Sequence, residues 1–287
     1  MMDIVLTGTG SPLPDANRAG PSTLVKAGET HILVDAGRGV VMRMAGAGSL
    51  PVFLSAVLIT HLHSDHVCDL NDVITTHWIM SQGAGTLAVY GPRGTAEFIQ
   101  RQMSALEADI GYRIEHHAPL TEGPRVDVTE LEVTGPRDVD GEPEPAFTVG
   151  DVSVSVAATE HAPARPTIGY RLEHGGVAAA LVGDTLPCAG VDTLASGVDG
   201  YVQTVIRRDL VEAIPNEMMQ DILDYHSSVI DAARTAARVG AKRLVLTHMV
   251  PPPTPEDYPE WRRVAAEHFA GEVIIGDDLT TITLRPT

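Results

Sequence analysis

The chain has 287 residues, 44% of them hydrophobic and 20% charged, which is the make-up of a globular protein and excludes disorder, collagen and coiled coil. Its 38 acidic residues against 20 basic ones leave a net charge of -18, a field that repels polyanions and anionic membrane surfaces. Two cysteines, Cys68 and Cys188, cannot build a disulfide framework, and the amino-terminal stretch carries neither a basic region nor a long apolar run, so a cytoplasmic protein is expected. No linker, repeat or charge block interrupts the sequence, which sets the expectation of one domain over residues 1–287.

The first residues alternate like a strand. Residues 57–60 form a short apolar run that leads into HLHSDH at 61–66, and a helix is expected from about Cys68. The spacing of Ala96, Phe98, Ile99, Met103 and Leu106 predicts a helix over 94–106. Between 119 and 147 the chain is acidic and proline-bearing and reads as irregular surface, with a strand at 126–133. Alternation over 152–159 predicts a strand that stops before His161, a run at 178–183 stops before Asp184, and one at 244–247 stops before His248. The alanine-rich stretch 229–239 predicts a helix capped by Gly240, and PPPTPEDYP at 251–259 reads as a rigid turn. In a layered α/β fold, strand ends gather along one sheet edge, so these strands deliver their polar residues to one place.

The HLHSDH motif offers His61, His63, Asp65 and His66 in a single turn after a strand. Imidazole and carboxylate suit zinc and similar divalent ions, and a tight turn can aim alternate side chains at two neighbouring ions. Two ions need further ligands and a bridging group, for which His161, Asp184 and His248 are the candidates.

This order of residues resembles the metallo-β-lactamase superfamily. The resemblance implies an α/β fold, the αβ/βα four-layer sandwich, with a binuclear site on its edge. By position, His61, His63 and His161 would hold one Zn2+, Asp65, His66 and His248 a second, and Asp184 would bridge them, with Mn2+ or Fe2+ as other divalent occupants. Within the superfamily the chain is most similar to the ribonuclease Z branch, through LTGTGSPLP, ILVDAGRG, VYGPRGTAEF, TIGYRLE, GDT, DYHSSVIDAA and RLVLTH. That likeness makes Asp35 a residue that supports the ligands and His226 the branch's additional active-site histidine, and it implies a homodimer.

The sequence departs from the branch in two ways. The flexible arm that grips tRNA would lie between Glu173 and Asp184, where only 174–183 are present. The glutamate expected to orient His226 is replaced by Val202 or Gln203. Together with the acidic charge, these departures argue against nucleic acid and for a small organic substrate: an ester, lactone, sulfate, organophosphate or chloroaromatic. The expected chemistry is hydrolysis by water activated between two ions, with Asp65 as ligand and orienting base and His226 as oxyanion stabiliser or proton donor. Trp78, Ile79, Met80, Met218, Met219, Tyr225, Met249 and the Pro251 loop are the expected apolar wall for such a substrate. Arg207 and Arg208 read as a salt-bridged surface pair, and His77, on the helix expected from Cys68, is not assigned to the pocket. Two alternatives accompany this reading: a ribonuclease Z-type phosphodiesterase, and a metal-bound accessory protein without turnover.

Overall fold

The computed structural model describes residues 1–133 and 146–286. The first half supplies strands β1 (Met2–Gly8), β2 (Ser22–Ala27), β3 (Thr30–Val34), β4 (Leu54–Leu58), β5 (Thr86–Gly91) and β6 (Arg125–Glu130). The second half supplies β7 (Phe147–Val149), β8 (Val152–Ala158), β9 (Ile168–His174), β10 (Val177–Leu181), β11 (Gly200–Ile206), β12 (Arg243–Val250), β13 (Glu272–Ile275) and β14 (Thr281–Leu284). They form two seven-stranded sheets, in the orders β14-β1-β2-β3-β4-β5-β6 and β13-β12-β11-β10-β9-β8-β7. Both sheets are mixed: β3 to β6 run parallel, as do β10 to β13, and the remaining pairs are antiparallel.

Side chains on a strand point alternately to its two faces, which explains the layering. In β1, Ile4 and Leu6 enter the core between the sheets, whereas Val5 faces the outer cluster with Leu33, Val57 and Ile74. In β10, Val177, Ala179 and Leu181 point to the inner core while Ala178 and Ala180 meet Ala232, Ala236 and Trp261 of the covering helices. The sequence therefore has to be apolar on both faces of its central strands, and β10 is buried at every position. The result is the expected order of helix, sheet, sheet, helix.

Most expected elements form with small shifts at their ends. The helix Val229–Val239 carries a capping box, in which Ser228 Oγ accepts from the Asp231 amide and Asp231 Oδ2 accepts from the Ser228 amide, and it ends on Gly240 at φ 69°. The helix expected over 94–106 spans Thr95–Ala105. The strand expected at 126–133 is β6, an edge strand with no fully buried residue, and 134–145 of the surface stretch lie outside the described residues. Among the described residues, no helix is long and apolar enough to cross a membrane.

Two hydrogen bonds join the sheets where it matters for the site. Tyr170 of β9, buried completely, donates its hydroxyl to the Ile59 carbonyl at 2.6 Å, and the Ile168 amide donates to the Thr60 carbonyl at 3.0 Å. Both acceptors immediately precede His61. Replacing Tyr170 with Phe keeps the packing but leaves the Ile59 carbonyl buried without that donor, a loss of about 1–3 kcal/mol. Thermal unfolding of Tyr170→Phe is expected to show a lowered midpoint, and an unchanged midpoint would show that the hydroxyl contributes nothing.

Candidate metal centre

The chain brings the expected residues to one edge of the sandwich. His61 and His63 follow β4, His161 follows β8, and Asp184 follows β10. His248 differs from expectation, because the strand does not stop at Thr247 but runs through to Val250. Pairing with β11 slips between Thr204 and Ile206, and His248 takes φ 48°. A bulge thus rotates this imidazole out of the ladder and into the site. Gly183, at φ 64°, lets Asp184 approach: a Cβ there would lie 2.8 Å from Thr60 Oγ1.

The potential ligand atoms of His61, His63, His161 and Asp184 lie within 4.8 Å of one another, as do those of Asp65, His66 and His248, and those of Asp184, His226 and His248. Asp184 Oδ2 is the common neighbour, at 4.0 Å from His61, 3.4 Å from His66, 3.8 Å from His161, 3.3 Å from His226 and 3.5 Å from His248, in each case measured to Nε2. Asp65 Oδ2 lies 3.2 Å from His248 Nε2. All these residues are buried except His63, which faces solvent.

The outer nitrogens of four of the rings are held by the protein, whereas His248 Nδ1 is buried without a partner among the described residues. His66 Nδ1 lies 2.8 Å from Asp35 Oδ2. Thr60 donates its amide to Asp35 Oδ1 and its hydroxyl to Asp35 Oδ2, and the same hydroxyl oxygen lies 3.0 Å from His61 Nδ1. His161 Nδ1 donates to the Tyr225 carbonyl at 2.8 Å, and His226 Nδ1 to the Ile222 carbonyl at 3.1 Å. Placing the proton on Nδ1 leaves the Nε2 lone pair facing inward, the tautomer a metal ligand requires. Asp35 holds this post from φ 61°, a left-handed conformation that aspartate tolerates better than most residues.

Burial pushes His61 well below its ordinary pKa and His161 down to about 4, Asp184 opposing this only in part. For His66 and His248 burial acts in the same direction, but Asp184 with Asp35, and Asp184 with Asp65, outweigh it and raise both. Burial would also raise the Asp184 carboxyl, yet His248 and His66 hold it well below the usual carboxylate range. The pocket therefore calls for positive charge at its centre. Buried His61 Nε2, His66 Nε2 and Asp184 Oδ1 have no hydrogen-bond partner among the described residues, and a divalent cation accepts this set of donors.

Other expectations need correction. Of the apolar wall, Tyr225 reaches the site, with its ring 5.2 Å from that of His161. Trp78 is buried and donates to the Glu122 carbonyl, Met249 packs under the helices, and Met218 is exposed on the surface. The spacing of these residues was that of ordinary core and helix faces. His77, not assigned to the site from the sequence, lies on the buried face of the helix Leu70–Met80, against Gly85. Arg207 and Arg208 pair with Asp209 and Glu212, as expected, but Arg207 is buried against Trp261 and not on the surface. Gln203 hydrogen-bonds Tyr201 and the Thr204 carbonyl, so it does not stand in for a glutamate beside His226, whose carboxylate neighbour is Asp184.

Asp35 supports His66 directly and His61 through Thr60, which separates two variants. Thr60→Val is expected to weaken divalent-metal affinity about 10–100-fold, with Asp35→Asn at least as damaging. Competition with a chromogenic chelator measures both. Wild-type affinity in Asp35→Asn would show that the carboxylate does not orient the ligands.

The beta-lactamase superfamily domain family matches residues 30–249. A protein of Mycolicibacterium paratuberculosis named Ribonuclease Z is 52% identical over 281 residues, covering 97% of each chain. One of Mycobacterium bovis BCG with the same name is 48% identical, over 100% of this chain and 99% of its own. Among solved structures, the metallo-beta-lactamase fold protein YhfI of Bacillus subtilis superposes with a TM-score of 0.73 at 21% identity, covering 98% of both chains. Human tRNase Z, short form, superposes with a TM-score of 0.71 at 22% identity, covering 99% of both. These relatives overturn the expectation of a small organic substrate and the argument against nucleic acid. The short 174–183 stretch was a poor discriminator, because the match at 52% identity covers 97% of both chains and leaves no room for a long extra arm in that relative. Net charge misled because it is a sum over the whole chain, whereas phosphate recognition is local. The chain is a metal-dependent hydrolase that belongs to the metallo-β-lactamase superfamily and, within it, to the ribonuclease Z branch.

Proposed function

We propose that this protein is a ribonuclease Z-type phosphodiesterase that cuts precursor tRNA at its 3′ end, acting in the cytoplasm as one catalytic domain over residues 1–287. The observation that carries this reading is the near-complete, 52% identical match to a protein named Ribonuclease Z. The cluster of imidazoles and carboxylates is chemically suited to it, since phosphodiester hydrolysis demands charge neutralisation and an activated water more than covalent catalysis.

In this reading His61, His63 and His161 would hold one zinc ion and Asp65, His66 and His248 a second, with Asp184 available to both. Bound there, such ions lower the pKa of water toward neutrality and offset charge that builds up on the phosphoryl oxygens. The residues of the chain carry the proton traffic. Asp65 is held ionised: burial would raise its pKa, but the hydrogen bond from His248 and the nearby His66 bring it below its ordinary value. An ionised Asp65 orients the attacking water and takes up its proton. His226 has one ring nitrogen committed to the Ile222 carbonyl and the other 3.3 Å from Asp184 Oδ2. Its inner nitrogen faces the cluster, and in the protonated state it can hand a proton to the departing ribose oxygen.

Zinc-loaded protein is expected to release the 3′ trailer from precursor tRNA, and a chelator to abolish the cut. His226→Ala should lower kcat about 10²–10⁴-fold while retaining its metal. Intact precursor alongside chelator-sensitive turnover of other phosphodiesters would refute the RNA assignment, and full activity in His226→Ala would remove that residue from the proton path.

A further inference from the structure

A cleft of about 370 Å³ opens beside the candidate metal centre, bounded by His61, His63, Arg93 and the turn Pro163 to Pro166. It continues into a second cleft of about 530 Å³ that shares Arg93, Arg165 and Pro166 and runs on toward Val133. Each is large enough for a nucleotide-sized group. Among the described residues, Arg93 and Arg165 are the arginine and lysine side chains that line these clefts, and Glu132 lines the second.

The position of Arg93 is fixed by its neighbours. It follows β5, which lies next to β4 in the sheet, so its loop emerges beside HLHSDH. Gly94, at φ 103°, packs against that motif: a Cβ there would lie 3.1 Å from Leu62 Cδ1. Glu130 Oε1 accepts from the amides of Gly94 and Ala96 and anchors the loop from the other side. The loop can thus move little relative to His61 and His63.

Charge pairing distinguishes Arg93 from most of its kind. In this acidic chain arginines are generally matched with carboxylates, as in Arg207 with Asp209, Arg238 with Asp192 and Arg243 with Glu272. Arg165 has Glu160 at 2.8 Å, and both are exposed. Among the described residues Arg93 has no carboxylate within ion-pair distance, although it stands exposed at the mouth of a buried catalytic cluster. An unmatched guanidinium there suits a phosphate, which it can grip with two parallel hydrogen bonds.

We infer that Arg93, with Arg165 across the cleft, binds a backbone phosphate of the RNA that flanks the scissile bond on the His61–His63 side. This rests on the phosphodiesterase reading above and makes Arg93 a positioning residue that sets where the strand lies. Arg93→Ala is expected to raise KM for precursor tRNA about tenfold, with the loss falling on KM more than on kcat. The fall of log kcat/KM with log salt concentration should become shallower by about 1, and Arg93→Lys should restore most of the slope. Substrates with single methylphosphonates around the cut add a chemical cross-check. One neutralised linkage should impair the wild type as the substitution does, and should impair Arg93→Ala no further. If the wild type cleaves precursor tRNA while Arg93→Ala keeps its KM and salt slope, the inference is overturned and the functional reading stands. Loss of kcat alone with an unchanged slope would also overturn it, by pointing to a disturbed Leu62 contact. A wild type that leaves precursor tRNA intact would remove both.

Discussion

One carboxylate oxygen faces five imidazoles. Asp184 Oδ2 is within 4.0 Å of Nε2 of His61, His66, His161, His226 and His248, and the carboxyl group is almost fully buried. Such a cluster is costly to desolvate and is tolerable only if positive charge resides inside it. The opposing displacements of its histidines express that demand: those nearest extra carboxylates gain affinity for a proton and the others lose it. A divalent cation resolves the conflict for all of them at once.

The surroundings of the cluster hold the outer nitrogens of His61, His66, His161 and His226. Asp35 and Thr60 belong to the first sheet and its edge, whereas the carbonyls of Ile222 and Tyr225 come from the short 3-10 turn Ile222–Asp224 and the residue after it, a stretch that precedes the helix Val229–Val239. That stretch has no side chain in common with HLHSDH, yet it performs the same service for His161 and His226 that Asp35 performs for His66. Backbone carbonyls do this without any particular residue type, so the division of labour lies in the fold and not in a motif.

This difference explains what the sequence disclosed. HLHSDH was legible because its ligands are local and its residue types are rare in that density, and His161, Asp184 and His248 were legible because apolar runs end near them. The capped helix at Val229–Val239 followed from Ser228, Asp231 and Gly240, whose signals are also local. The bulge that turns His248 inward leaves no mark in LVLTHMV, since it arises from pairing with β11. The methionines deceived for the related reason that a core face and a pocket wall share one periodicity. The net charge deceived because a sum over the chain says nothing of where individual cations stand, such as Arg93 in the loop beside Leu62.

The stitching of the two sheets by Tyr170 and Ile168 has a consequence for the life of the chain before it is finished. The carbonyls of Ile59 and Thr60 are supplied by the first half, and their donors by β9. The last member of the cluster, His248, comes still later. A nascent polypeptide emerging amino-terminus first presents HLHSDH long before any of these partners exists, so ligand-rich side chains wait in an unfinished pocket. The candidate ligand atoms therefore come together only after β12 has been made, and the pocket gains its shape late in the order of the chain.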